Sequence, residues 1–304
     1  MLFRSGTYVA YLFAHNAGGF GLTGTDNVIS CGSFTTDGSS HADINLGYEP
    51  QYVLTKAAST TGAWYVVDSM RGNAAYNGAT VTQQTLSANT SAAEAGNYGI
   101  GNPTSTGFIY QGGGASQTYI YIAIRRGPMK VPTDGTKVFS PNASSAATGT
   151  AITTNFPVDM QIGKYRAGAT ANQVVDRLRG ISTNTTGAGV SLATSSTAAE
   201  VSDSGTSLYW DNTGFQMPTN LGGISDIFWN FRRAPGFFDV VCYTGTGGTT
   251  NTFSHNLGVA PQLVIIKSRN VGGTGYNRPA ITNTSVSSAA TLLLNSASSN
   301  NGGN

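Results

Sequence analysis

Charge is what this sequence has least of. Of 304 residues, 16 are Lys or Arg and 14 are Asp or Glu, 10% together, against about a quarter in ordinary soluble domains. A net charge of +2 provides no basic footprint for nucleic acid, and the pairs Arg125-Arg126 and Arg232-Arg233 stand isolated in the sequence. Aromatics at 10% and many β-branched residues supply material for packed cores, which excludes a disordered chain. The three histidines, His15, His41 and His255, have no metal-ligand spacing and no H-E-x-x-H. No cofactor or metal is expected. Two cysteines make no disulfide framework and leave the redox compartment open. No apolar run approaches the roughly 20 residues that span a bilayer, so no membrane span is expected. "TYVAYLFA" (7–14) imitates a short signal peptide, but a similar segment recurs inside the chain as a strand.

What is present is repetition. "TLSANTSAAEA" (85–95) returns as "SLATSSTAAEV" (191–201), and "WYVVDSMRG" (64–72) as "NQVVDRLRG" (172–180). "TGFIY" (106–110) answers "TGFQM" (213–217), and "YIYIAIRRGP" (119–128) answers "DIFWNFRRAP" (226–235). Four boxes in one order at nearly one spacing define a tandem array. A third copy opens near Phe237: "INLGYEPQYVLTK" (44–56) matches "HNLGVAPQLVIIK" (255–267), with a degraded version, "NFPVDMQIGK" (155–164), between them. Cys31 and Cys242 are then one position in two copies, not partners. The expected segments are 1–25, a closing strand of a preceding unit with its linker; 26–129 and 130–235, two complete units; and 236–304, an incomplete third.

Apolar stretches such as "QYVLTK", "TYIYIAI" and "PQLVIIK" are short, rich in Val, Ile and Tyr, and bounded by Gly, Asn or Thr, which reads as strands. The expected fold is all-β: tandem β-sandwich repeats, jelly-roll or lectin-like, of about 105 residues each. The bland phrase ending in Glu94 or Glu200 has capping-box spacing and is the one place where a helical turn is expected. Gly-rich strings at 111–117 and 245–252 read as loops; "GTGGTT" lacks the Lys-Ser/Thr ending of a phosphate loop.

Few residues offer chemistry. Asp68 with Arg71 and Asp176 with Arg179 form a repeated D-x-x-R at a strand end, and Glu94 and Glu200 are repeated acids. The preferred reading is structural, an ion pair pinning a turn, because residues that mark a fold repeat with it while specificity varies between copies. No catalytic set emerges: His255 reads as a strand position and the cysteines as small hydrophobes. Tyr76, Tyr98, Trp210 and Tyr276 are the candidates to stack on sugar rings from loops, although Trp210 also fits a core.

The order "CYTGTG" (242–247), "HNLGVAPQLVIIK" (255–267), "DSMRG" (68–72), "LSANTSAAEA" (86–95), "TGFIY" and "TYIYIAI" (118–124) resembles repeats in tail-fibre and other structural proteins of marine and cyanobacterial tailed phages. The resemblance covers nearly the whole chain and departs at "NFPVDMQIGK". It implies lectin-like β-sandwiches in virion appendages and brings no catalytic residues. The expectation is a non-enzymatic virion protein, outside the cell, acting in a tail fibre and in host attachment. Its expected partners are copies of itself (a homo-oligomer, a trimer among the options), other virion proteins and host-surface glycans. The alternatives are a capsid-decorating or purely architectural protein and, second, a glycan-degrading tailspike. For the irregular ends, a fragment of a longer protein is preferred over strand donation between copies.

Overall fold

The computed structural model describes residues 7, 10–71, 82–98, 100–127, 130–144, 146–147, 149–166, 172–179, 189–203, 210, 212–216, 226–245, 252–270, 281–282, 290–291 and 301–302. Its first unit contains strands β1 (Ile29–Thr35), β2 (His41–Asn45), β3 (Pro50–Ala57), β4 (Trp64–Asp68), β5 (Thr82–Ser87), β6 (Ala95–Tyr98), β7 (Asn102–Thr104), β8 (Gly107–Gln111) and β9 (Thr118–Arg125). They form a six-stranded antiparallel sheet in the order β1-β9-β3-β4-β5-β6, faced by a three-stranded sheet β2-β8-β7. The chain is all-β in tandem sandwiches.

Alternation puts one face of each strand inside. Along β3, Val53, Thr55 and Ala57 are buried while Leu54 and Lys56 are less so, the two-residue period of a pleated strand. On β9, Tyr119 and Ala123 point inward, and Tyr119 stacks on Phe34 of β1 at 5.4 Å between centroids. Phe108 and Tyr110, from β8 on the opposite sheet, close an aromatic box around Phe34. Aromatic pairs of this kind add to the burial of their large apolar area.

The second unit repeats the plan with β10 (Phe139–Ser144), β11 (Ala151–Thr153), β12 (Met160–Tyr165), β13 (Gln173–Asp176), β14 (Gly189–Ala193), β15 (Val201–Asp203), β16 (Gly214–Gln216) and β17 (Asp226–Phe231). The large sheet runs β10-β17-β12-β13-β14-β15, and β11 pairs with β16 across from it. Its inner row differs. Where the first unit aligns Ser30, Ala123 and Val53, the second aligns Ser140, Asn230 and Gln161. Gln161 Nε2 donates to Asn230 Oδ1 at 2.6 Å, and Asn230 Nδ2 donates to Ser140 O at 2.9 Å, so the buried amides satisfy one another.

The T-G-F box acquires a physical reason. A Cβ on Gly107 would sit 1.8 Å from Ile44 O, and one on Gly214 would sit 2.0 Å from Ile152 O. The preceding threonine carbonyls accept Leu46 N–H and Thr154 N–H, while Phe108 and Phe215 fill the two cores. Only glycine lets these backbones approach so closely.

The third unit is different. Among its described residues no strand exceeds two residues; Leu263–Val264 pairs with Ile281–Thr282, and Ala290–Thr291 with Asn301–Gly302. Its described residues meet the first two units through Asp239 and Asn256 on one side and Arg269 on the other. At the other end, residues 10–16 carry no strand, and Tyr11, Leu12 and Phe13 are exposed. The expected helical turn at 91–94 is absent. Short 3-10 turns form instead at Ser69–Arg71 and Gly135–Lys137, and Glu94 turns to an arginine rather than to a helix N-terminus.

Candidate functional site

The D-x-x-R sequences form two brackets built alike. In the first, Asp68 Oδ1 accepts Arg71 N–H at 3.0 Å and Asp68 Oδ2 accepts Arg71 Nε–H at 2.7 Å. Arg71 Nη2 donates back to Val66 O at 2.9 Å, and Nη1 donates to Gln84 O and to Glu94 Oε2. One guanidinium thus ties β4, β5 and the bland phrase together, using the fixed fork of donors that arginine offers. In the second bracket Asp176 holds Arg179 through the same two atoms at 2.9 and 2.5 Å, and Arg179 Nη2 donates to Val174 O at 2.8 Å.

The fourth bond breaks the symmetry. Glu200 Oε2 stands 3.7 Å from Arg179 Nη1, outside hydrogen-bond distance, because Arg269 of the third unit takes its carboxylate. Arg269 Nε and Nη2 donate to Glu200 Oε2 and Oε1 at 2.9 and 3.1 Å. Glu200 N–H donates to Arg269 O at 2.7 Å, and Lys267 Nζ donates to Ser196 O at 2.8 Å. Burial works against the Arg269 charge, but Glu200, Cys242 and Asp176 together outweigh it and hold its pKa above the ordinary guanidinium value. Burial, then the nearby Arg179 charge, lowers Lys267. Cys242 is part-buried, and burial followed by Asp176 pushes its thiol up to about 12. Both cysteines are free.

A second charged cluster joins all three units. Glu49, just before β3, accepts Arg233 Nη2 and Nη1 on its two oxygens at 2.5 and 3.1 Å. Arg126 lies 3.4 Å from Glu49 through Nε and donates to Asp239 Oδ1 at 2.9 Å through Nη2. Asp159 Oδ2 accepts Arg233 N–H at 2.7 Å, and Asp239 Oδ2 accepts Asn256 N–H at 2.8 Å. Glu49, Arg126 and Arg233 are buried. Burial, then repulsion from Arg233, pulls Arg126 below the usual guanidinium range; for Arg233 burial is overcome by Glu49, Asp159 and Asp239, and its pKa rises. Two arginines against three carboxylates in a dry site hold only because nearly every charge faces an opposite one. The second arginine of each Arg-Arg pair, Arg126 and Arg233, is therefore part of a joint. Nearby, Arg177 Nη1 donates to Ser69 O at 3.2 Å, so the second unit also touches the first unit's bracket turn.

A cavity of about 310 Å³ opens between the first unit and the start of the third, lined by Asp43, Asn45, Ser105, Thr106, Cys242 and Tyr243 among others. Tyr243 is exposed and stacks on Phe253 at 4.5 Å. Of the candidate sugar-stacking residues, Trp210 is buried in the second core with Phe156 and Phe215, beneath the Arg177 guanidinium at 5.3 Å, and presents no face to a ligand. Tyr76, Tyr276 and the Tyr98 side chain lie outside the described residues. His255 is not on a strand; its Nδ1 accepts Leu257 N–H in an exposed turn. Among the described residues no three His, Cys, Asp or Glu side chains gather to hold a metal, and no helix is long and apolar enough to cross a membrane.

The fold and its brackets define a class: tandem β-sandwich units joined by buried arginine–carboxylate clusters. A model of a domain of unknown function (DUF7483) matches residues 3–128 and 135–304, and the chain belongs to that family. No curated protein and no solved structure matches it.

Proposed function

We propose that this protein is a non-enzymatic structural component of a phage virion, part of a tail fibre or similar appendage, with a role in host attachment through glycan-binding loops. The observation that carries the reading is the buried cluster of Glu49, Arg126, Arg233 and Asp239, which ties three units together through ion pairs. An appendage needs such ties, because flexible joints dissipate the orientation of a binding tip. The scarce charges are spent on joints and brackets, while loops keep Ser, Thr, Asn and Gly, side chains suited to sugar hydroxyls. The groove beside Asp43, Asn45 and Tyr243 has the chemistry to receive one sugar residue: a carboxylate, an amide and an exposed ring.

Gold-labelled antibody against the protein, viewed on intact particles by electron microscopy, tests the location. Label on the tail supports the reading; label on the head transfers the protein to capsid decoration. Binding to a glycan array, lost in Asp43→Ala and Tyr243→Ala variants of unchanged melting temperature, tests the attachment role. Release of reducing ends from a bound glycan would instead mark a tailspike enzyme.

A further inference from the structure

The large sheet of the first unit is apolar on both faces. Val53, Val67 and Ala123 point into the core, so their neighbours Leu54, Val66 and Ile122 point out and take no part in it. Strand pairing sets these in one row across five strands, Cys31–Ile122–Leu54–Val66–Leu86, with no charge or amide in it. The next row carries Ile120 and Trp64 on either side of Lys56. Leu86, Ile120 and Trp64 are 38, 41 and 36% exposed. The open face of an antiparallel sheet ordinarily carries polar side chains instead. The second unit has the same row at the same register, Pro141–Trp229–Ile162–Val174–Leu192. In the third, Ile265 holds the position of Leu54 and Ile162 and is 55% exposed.

We propose that this outer face of the first unit packs against the same face of a second copy of the chain. An apolar row kept from unit to unit answers to an occupant that is the same each time, whereas a surface for a foreign receptor is free to vary between units. The area is sufficient. Five strands about 4.8 Å apart and three rows about 6.8 Å apart make a face of about 24 by 20 Å, or about 500 Å². Two such faces bury about 1,000 Å² together, the lower bound for a specific interface and the size of a weak dimer. A pleated face fits another pleated face, at about 10 Å with the strands about 30° apart. The two charges on the face do not oppose the contact. Lys56 turns its Nζ to Ala57 O at 2.6 Å and lays its methylene stem along the sheet, and Asp68, at the corner, is paired with Arg71. Identical faces meet about a two-fold axis, which makes a dimer. The inference goes beyond the appendage reading, whose binding surface lies in the loops.

Sedimentation over a concentration series, with melting temperatures alongside, tests it. The wild-type chain should pass from monomer to dimer as its concentration rises through the micromolar range. Ile120→Glu and Leu86→Glu, both at exposed positions, should each raise the dimer dissociation constant about tenfold or more with the melting temperature unmoved. Val131→Glu, at an exposed apolar position outside these rows, should leave it unchanged. Trp64 supplies a second readout: its fluorescence should move to shorter wavelength on dimerisation, and Trp64→Phe should remove that shift. A wild type that stays monomeric at its highest soluble concentration overturns the contact. So does a dimer whose emission does not move, or one that Ile120→Glu and Leu86→Glu weaken no more than Val131→Glu does. None of these results bears on where the antibody label falls on the particle, so the two readings fail separately.

Discussion

The two brackets share their local bonds and differ in their surroundings. In each, an aspartate clamps the backbone N–H and Nε–H of an arginine three residues on, and the arginine returns Nη2 to a strand carbonyl. In the first, the remaining nitrogen holds Glu94 at the edge of solvent; in the second, Glu200 has left for Arg269 beneath the third unit. Identical residues thus do different energetic work. A charge pair near water contributes up to about 1 kcal/mol, whereas breaking a buried pair costs about 3–5 kcal/mol, because the orphaned charge stays desolvated.

That contrast can be broken by experiment. Glu200→Gln should destabilise the protein by about 3–5 kcal/mol, and Glu94→Gln by no more than about 1 kcal/mol, in denaturant unfolding. Equal losses would mean that the third unit does not cover the second bracket in solution. Arg71→Ala should cost about 1–3 kcal/mol, through carbonyl and carboxylate groups left without a donor, and Arg179→Ala should cost more. A smaller effect is kinetic. Iodoacetamide should label Cys242 slowly at pH 8, since its thiol is pushed up to about 12, and Arg269→Ala should speed that labelling by loosening the third unit. Non-reducing mass analysis should find both cysteines unpaired.

The smallest effect concerns the closing strands. The first unit places Tyr119 where the second has Asp226, a buried carboxyl whose oxygens have no hydrogen-bond partner. Burial raises its pKa. The folded state therefore binds the proton more tightly than the unfolded one, and this carboxyl's contribution falls as pH rises from the ordinary aspartate range through the raised value. Asp226→Asn should flatten that slope in a series of melting curves, and an unchanged slope would assign it to another group.

Much of the sandwich was legible because its constraints are local. T-G-F repeats since Gly107 and Gly214 must admit a neighbouring carbonyl, and D-x-x-R repeats since the bracket closes within four residues. The joints were not legible. Glu49, Asp159 and Asp239 occupy positions with no counterparts of the same charge in the other units, so no repeat marks them, and Arg126 and Arg233 read as isolated pairs. The one signal was negative: in a chain with so few charges, each acid beside an apolar strand invites a search for its partner. The bland phrase misled through capping-box spacing, which a glutamate satisfies equally by reaching an arginine across the sheet. Trp210 sat between loop and core in the sequence; only packing against Phe156 and Phe215 decides for the core.

The joint has a mechanical corollary. Tandem domains that touch only their neighbours unravel one after another when pulled from the ends. Here Glu49 grips Arg233 from 184 positions away, and Arg126 reaches Asp239 across 113. Tension applied at the termini meets these contacts before any sandwich can peel away alone. Force–extension traces should show a single tall rupture that frees the units together, followed by weaker events, in place of an even sawtooth.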